Sequence, residues 1–180
     1  MNSHLPHRQE YEDSCLVLQE QGLLAEGEVP PCPDQRPSHA DEEPLGVSFF
    51  RTQLDAAELE DLTLPRTFFG NSQLKTISFQ NSDLSESTLT ECDLNTVDFS
   101  DADLSDSVLC GSRFKKVTFA RSDLRGADLR DAEFENCDFA DANLQGTKLT
   151  AEQCRKRLFG KKRQVRLTAE QLEQVDWQEA

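Results

Sequence analysis

The sequence predicts an all-β solenoid whose coil has four sides of five residues each, and three observations lead to it. Every fifth residue from Phe49 to Leu149 is Leu or Phe, 21 positions in unbroken register. The residue two before each is small or compact apolar, as in Val47, Thr52, Ala57, Ser72, Cys92, Ala102 and Cys137, with Leu62 and Ile77 the larger members. Residues 20 apart also repeat by type: Phe79, Phe99, Phe119 and Phe139 form one column, and Leu64, Leu84, Leu104, Leu124 and Leu144 the next. A period of five suits no α-helix, because five residues advance about 500° and the apolar stripe would wind around the whole surface. It suits no continuous strand either, since an odd step throws alternate residues onto opposite faces. A coil that turns once every five residues keeps the central residue and the one two before it inward, and the other three outward. Fixed-period repetition of this kind is the mark of a solenoid.

Three regions follow: an extension over 1–45, the repeats over 46–150 and a segment over 151–180. In the extension, Arg8 to about Leu24 predicts a short helix with Leu16, Val17, Leu18, Leu23 and Leu24 as its apolar side. The rest is mostly irregular: Pro30, Pro31, Pro33 and Pro37 make a stiff, extended linker, and the acidic run Asp41, Glu42 and Glu43 follows. His4, His7 and His39 share this region with Cys15 and Cys32, but their spacing matches no recognised zinc arrangement. No metal or cofactor is expected.

Within the repeats, Cys92-Asp93-Leu94-Asn95, Ala102-Asp103-Leu104-Ser105-Asp106 and Ala127-Asp128-Leu129-Arg130-Asp131 are typical units. Here the chain resembles the pentapeptide-repeat family. The resemblance implies a right-handed, four-sided parallel β-helix, of about five coils for a block of this length.

The outward positions carry the differences between coils. Between Thr76 and Ser112 there is no basic residue but there are eight acids. The register places Asp83, Glu86, Asp103 and Asp106 on one face, with Asp98 and Asp101 on its neighbour. Carboxylates stacked one rung apart repel each other, so a cationic partner for these six is the functional expectation and a solvated face the plain one. Phe50 and Phe68 fall at outward slots of another face, together with Val108 and Cys110. Exposed aromatics call for a cover, expected from the N-terminal segment folding back or, alternatively, from an apolar contact with a partner. Arg113, Lys115 and Lys116 cluster on a different face again.

After Leu149 the register ends. Thr150-Ala151-Glu152-Gln153 and Thr168-Ala169-Glu170-Gln171 both match the capping box of a helix start, predicting helices over about 151–159 and 169–178. Seven basic residues gather between Arg155 and Arg166. The resemblance implies that this segment caps the β-helix or pairs two copies into a homodimer.

The formal charge is −15, from 34 acidic and 19 basic residues. This argues against direct binding to nucleic acid, which needs cations against the phosphates, and favours a basic partner. Six cysteines without a CxxC pair, with Cys92 and Cys137 in inward slots, read as core thiols in a reducing cytoplasm. No stretch has the signature of a secretory leader or a membrane span. The repeats hold no histidine, no glycine-rich phosphate loop and no nucleophile with an identifiable base, so an enzyme is not expected. The reading is a protein-binding module, an immunity- or antitoxin-type inhibitor that docks its acidic belt on a basic, nucleic-acid-acting toxin such as a nuclease. The resemblance implies an alternative, a DNA-mimicking modulator of DNA gyrase or another type II topoisomerase. The chain departs from that group in its short rod and in having no loop that interrupts the register. A scaffold or adaptor is the third reading.

Overall fold

The computed structural model describes residues 5–27, 29–30, 46–154 and 167–179. The elements in chain order are α1 (Leu5–Glu20), β1 (Gln53–Asp55), β2 (Gln73–Ser78), β3 (Asp93–Asp98), β4 (Arg113–Lys115), β5 (Glu133–Glu135), β6 (Lys148–Thr150), α2 (Ala151–Cys154), α3 (Ala169–Gln174) and β7 (Asp176–Gln178). Strands β1 to β5 stack in sequence order as one parallel ladder, with Leu54, Leu74, Leu94, Phe114 and Phe134 in register. The other three sides are held by single parallel bridges at the same 20-residue step. One runs Glu58, Ser78, Asp98, Thr118, Asp138; the next Thr63, Asp83, Asp103, Asp123, Asn143; the last Ser48, Phe68, Thr88, Val108, Asp128, Lys148. We call these the strand, phenylalanine, aspartate and neutral faces. The architecture is the four-sided parallel β-solenoid that the period of five predicts.

The corners explain why the period is five. The residue two after each central Leu or Phe lies in the left-handed region at every repeat from Arg51 to Gly146, with non-glycine φ values such as 55° at Arg51, 60° at Asp101 and 54° at Lys116. One left-handed residue per pentapeptide turns the chain through a corner. Asn and Asp tolerate that conformation better than other side chains, and they fill eight corners: Asp61, Asn71, Asn81, Asp101, Asp106, Asp131, Asn136 and Asp141. Gly111, Gly126 and Gly146 hold three more.

Inside the coil the central residues are all buried, none more than 7% exposed. The phenylalanine column stacks ring on ring, with centroids 5.2 Å apart for Phe79 and Phe99, 5.4 Å for Phe99 and Phe119, and 4.8 Å for Phe119 and Phe139. Phe114 and Phe134 continue the strand column at 5.3 Å and meet Phe119 and Phe139 edge to face. Each such pair adds about 0.5–1.5 kcal/mol beyond its buried area.

The inward residue two before the centre has a second duty beyond being small. The Ser82 Oγ donates to the Leu59 carbonyl at 2.7 Å and accepts from the Leu62 amide at 3.0 Å. Ser72 and Ser112 make the same pair of bonds to the coil below. Cys92 stands in the same column as these two and donates its thiol to the Phe69 carbonyl at 2.9 Å. These side chains satisfy backbone groups that would otherwise be buried without a partner. Cys92 is buried and Cys137 half-buried, both as free thiols. Burial pushes both thiols above their ordinary range.

Both ends of the rod are closed. Helix α1 lies against the first coil, where Ser14 Oγ accepts from the Thr63 amide at 2.8 Å and Gln21 Nε2 donates to the Glu58 carbonyl at 2.8 Å. In deeper coils the equivalent groups bond to the rung below, as the Asp83 amide does to the Leu62 carbonyl. The helix starts and ends earlier than the predicted Arg8 to Leu24, and its inward side differs. Tyr11, Cys15 and Leu18 are fully buried, at helical spacing, while Leu16 is 52% exposed. A run of three apolar residues cannot share one face of a helix. The His4, His7, His39 and Cys32 side chains and the segment 31–45, with most of the proline linker and the acidic run, lie outside the described residues.

At the other end two glutamines reach over the last coil. Gln153 Nε2 donates to the Leu129 and Ala132 carbonyls, and Gln171 Nε2 to those of Phe139 and Ala142. The capping box at Thr168 and Gln171 forms as expected. The helix it starts is shorter than the predicted 169–178. It stops at Gln174, and β7 pairs in parallel with β6, matching Leu149 with Trp177. Val175 is 8% exposed and extended, so burying it and bonding the open edge of β6 wins over helical continuation. Of the helix predicted over 151–159, α2 covers Ala151–Cys154; the remainder and the seven basic residues from Arg155 to Arg166 lie outside the described residues.

Candidate interaction surface

Every outward position has a neighbour 20 residues away on the next rung, so charge on each face is decided by columns. On the strand face the signs alternate. Lys75 meets Asp55 at 2.9 Å, Arg113 lies between Asp93 at 3.7 Å and Glu133 at 3.6 Å, and Lys115 meets Glu135 at 3.7 Å. The predicted cluster of Arg113, Lys115 and Lys116 is thus divided between this ladder and the corner at Lys116. All these pairs are well exposed, so each contributes at most about 1 kcal/mol. A hollow of about 260 Å³ runs between the two side-chain ladders, lined by residues of β3, β4 and β5.

The phenylalanine face carries two of the six predicted partner-binding acids, and both are engaged within the chain. Asp98 accepts from the Ser100 amide at 2.8 Å and from Gln80 Nε2 at 2.6 Å. Asp101 takes both nitrogens of the Arg121 fork, at 2.8 and 2.6 Å. That bidentate bond holds the Asp101 carboxyl below the usual carboxylate range.

The aspartate face differs. Asp83, Asp103 and Asp123 occupy successive rungs of one parallel bridge column. Asp123 is neutralised by Arg125 at 2.6 Å, and Glu86 lies 3.6 Å from Arg66. Asp83, Asp103 and Asp106 have no ion pair among the described residues. Three of the six predicted acids therefore have no ion pair among the described residues, with Arg125 the cation whose charge acts on Asp103 and Asp106 from a longer distance.

The structure also gives part of the acid column a local task that the sequence reading missed. Asp83 Oδ1 accepts from the Ser85 amide at 2.9 Å, Asp103 Oδ1 from the Ser105 amide at 2.9 Å, and Asp98, Asp123, Asp128 and Asp138 do the same to the residue two ahead. Asp is favoured there because its short side chain reaches the amide at the start of the corner, as in other Asx turns. The recurring Asp directly before the central Leu or Phe was the signal.

The neutral face is set apart by having no charged residue directly before or after its central residues from Ser48 to Cys110, so that charge is confined to its corners. Phe50 stacks on Phe68 at 5.6 Å, and the Arg51 guanidinium lies 4.8 Å over the Phe50 ring. Phe50 is 46% exposed. Of the N-terminal segment expected to cover these rings, Ser14 of α1 and Gln21 just after it bond to Thr63 and Glu58 on other faces, and residues 31–45 lie outside the described residues. The Phe68 ring instead lies along its own face over Gly70, where a Cβ would come within 2.6 Å of it. Farther along, Thr88, Thr90, Val108 and Cys110 are half-buried, until Asp128 and Arg130 close the face with an ion pair at 2.6 Å.

Among the described residues no group of three or more His, Cys, Asp or Glu side chains is arranged to hold a metal ion. Among them, too, no helix is long and apolar enough to cross a membrane.

Comparison with known proteins agrees with this geometry. A model described as the pentapeptide repeat region matches residues 46–129, and one described as pentapeptide repeats (8 copies) matches 118–151. Among solved structures the chain is similar to HetL, a pentapeptide repeat protein involved in heterocyst differentiation regulation from the cyanobacterium Nostoc, at 22% identity and a TM-score of 0.54 over 56% of this chain and 48% of that one. A second pentapeptide repeat protein from Nostoc is 20% identical, with a TM-score of 0.51 over 62% of this chain and 84% of that one. One from the thylakoid lumen of Arabidopsis thaliana is 27% identical, with a TM-score of 0.42 over 55% of this chain and 66% of that one. The chain thus spans about half the length of HetL. No curated protein matches it. With two repeat models that together run from residue 46 to residue 151 over a four-sided coil, the chain belongs to the pentapeptide repeat family.

Proposed function

We propose that this chain is a non-enzymatic binding module, an immunity- or antitoxin-type inhibitor that sets its aspartate face against a basic, nucleic-acid-acting protein such as a nuclease. The observation that carries this reading is the contrast between faces. Elsewhere many acids are answered by a cation, as Asp55 is by Lys75, Asp93 and Glu133 by Arg113, Glu135 by Lys115 and Asp101 by Arg121, whereas Asp83, Asp103 and Asp106 lie close together on one side of the rod with no ion pair among the described residues. A protein that handles nucleic acid presents cations to phosphates, and a rigid carboxylate column answers those same cations. Charge of opposite sign also speeds capture, and a β-solenoid offers an extended surface of fixed shape for it.

The test begins with a partner recovered from the native cell and purified. Its affinity is then measured from low to high salt against the chain and against Asp83→Asn/Asp103→Asn/Asp106→Asn. The expected result is a basic partner, an affinity loss of about tenfold or more, and a shallower salt dependence in the variant. A partner without net positive charge, or a variant with unchanged affinity and salt slope, refutes the reading. The gyrase alternative is examined alongside by supercoiling with and without the protein, where inhibition or protection of the enzyme would transfer the assignment to it.

A further inference from the structure

We propose that the neutral face is the anchor of the docking surface and that its occupant is a helix of a partner protein, with an apolar stripe flanked on both sides by Lys or Arg. This deepens the function proposed above and rests on it: the unpaired acids form the rim of the contact, and the face beside them forms its centre.

Three observations lead there. Interfaces are built with an apolar middle and a charged edge, and only this face has an uncharged middle among the four. Its two middle columns over four rungs hold Phe50, Phe68, Thr88, Thr90, Val108 and Cys110, with Ser48 and Gly70 filling the other two places. The flatness is built in, because Gly70 has no positive φ to explain it and instead gives up its side chain to let the Phe68 ring lie along the surface.

The edges supply the second observation. Arg66 is taken up by Glu86 at 3.6 Å and Arg51 lies over Phe50. This leaves Glu91 on one corner and Asp106 on the other, exposed and without an ion pair among the described residues. Both acids sit above a corner glycine of the next coil: a Cβ on Gly111 would lie 3.8 Å from Glu91 Cγ, and one on Gly126 would lie 2.2 Å from Asp106 Oδ1. The carboxylates therefore have room to lie along the rims. Asp83 and Asp103 extend the negative side on the adjoining face.

Dimensions supply the third. Four rungs at about 4.8 Å span roughly 14 Å along the rod, which is about ten residues of helix at 1.5 Å each. Two outward columns separated by two residues stand about 6.5 Å apart, a width that a helix of about 10 Å diameter covers. Basic residues on both flanks of its apolar stripe then meet Glu91 on one side and Asp106 on the other. A second copy of this chain is a poor occupant, because its own face has the same acidic rims and the chain carries a charge of −15.

The probe is a synthetic helical Leu/Lys peptide with one apolar stripe, with the corresponding Leu/Glu peptide as its control. Binding is followed by fluorescence anisotropy, and the face is read out by the rate of alkylation of Cys110, identified by mass spectrometry. Because a cationic peptide is drawn to any acidic surface, two variants that add the same charge decide the place: Thr88→Arg on the neutral face and Asn95→Arg on the strand face. Both are outward rung positions, Asn95 between Lys75 and Lys115 on the neighbouring rungs, and circular dichroism verifies that each variant is folded. Expected are a loss of at least about tenfold in affinity for Thr88→Arg, less than about twofold for Asn95→Arg, slower Cys110 alkylation in the complex, and no binding of the Leu/Glu peptide. Equal effects of the two variants, or an unprotected Cys110, overturn the inference. So does a Cys110 that reacts in the free protein only on unfolding, which means that the chain covers this face itself. A dimer in sedimentation that Thr88→Arg dissociates overturns it in favour of a second copy. If Thr88→Arg is silent towards the native partner while the Asp83/Asp103/Asp106 variant still loses affinity, the anchor is wrong and the proposed function stands; if both are silent, the function falls too.

Discussion

Replacing Ser82 by Ala removes one hydroxyl that answers two backbone groups of the coil below, the Leu59 carbonyl at 2.7 Å and the Leu62 amide at 3.0 Å. Ser82 is 1% exposed, so water cannot readily replace it. Each buried backbone group left without a partner costs about 1–3 kcal/mol, and the expected loss is about 2–4 kcal/mol for the pair. The control lies two coils away in the same column. Ser122 Oγ donates to the Phe119 carbonyl at 2.8 Å within its own corner, and that carbonyl also accepts the Ser122 amide at 3.1 Å. Below it the Ala102 amide is already bonded to Phe99, so Ser122→Ala orphans nothing and should cost about 0.5–1 kcal/mol. Urea unfolding followed by far-UV circular dichroism gives both values. Ser82→Cys should recover part of the loss, since Cys92 makes the corresponding bond from sulfur. Equal costs for Ser82→Ala and Ser122→Ala would refute the view that the inward column acts as a hydrogen-bond relay between coils.

At Thr76 a β-branched residue is held at φ 56°, so Thr76→Asn should stabilise the protein by about 1 kcal/mol; a lower thermal midpoint would contradict this. Gln171 is 5% exposed and donates to two carbonyls of the last coil, so Gln171→Ala should cost about 2–3 kcal/mol. The emission of Trp177, the only tryptophan, should then change at lower denaturant than the circular dichroism of the rod, and coincident transitions would argue against a separately loosened cap. The thiols of Cys92 and Cys137 are raised by burial. Their contribution to stability is complete below the thiol's unfolded range of about 8.5 and is lost as pH rises through the folded values, because the unfolded chain releases the protons first. Denaturant midpoints should therefore fall at alkaline pH, and less so in Cys92→Ser/Cys137→Ser; equal slopes in the two proteins would count against it. On the acid side the Arg130 bond holds the Asp128 carboxyl below its ordinary range, so Arg130→Gln should reduce the loss of stability as pH drops below about 4, measured by the same titration.

Much of the candidate surface was legible as columns. The step of 20 placed Asp83, Asp103 and Asp106 on one face and Phe50 and Phe68 on another. It also contained pairings that the reading passed over, for Asp101 with Arg121 and Asp55 with Lys75 are 20 apart in the chain. Counting acids between two cations along the chain hid the fact that neighbours across rungs, and not only those along the chain, neutralise one another. The doublet of Asp before Leu or Phe was visible too, but its bond to the amide two residues ahead exists only once the corner is formed.

By itself the sequence determined the coil, since a strict period of five with one apolar residue per unit has a single way of being buried on all sides, and it determined which residues share a face. Tertiary structure alone decided the ends. Whether Val175 and Trp177 prolong a helix or form a strand depends on the open edge of β6, and whether Tyr11 or Leu16 turns inward depends on the exposed first coil that α1 must cover. Local propensity carries no information about such unfilled backbone groups, because they come into being only when the rod is assembled and must be answered by whichever segment can reach them.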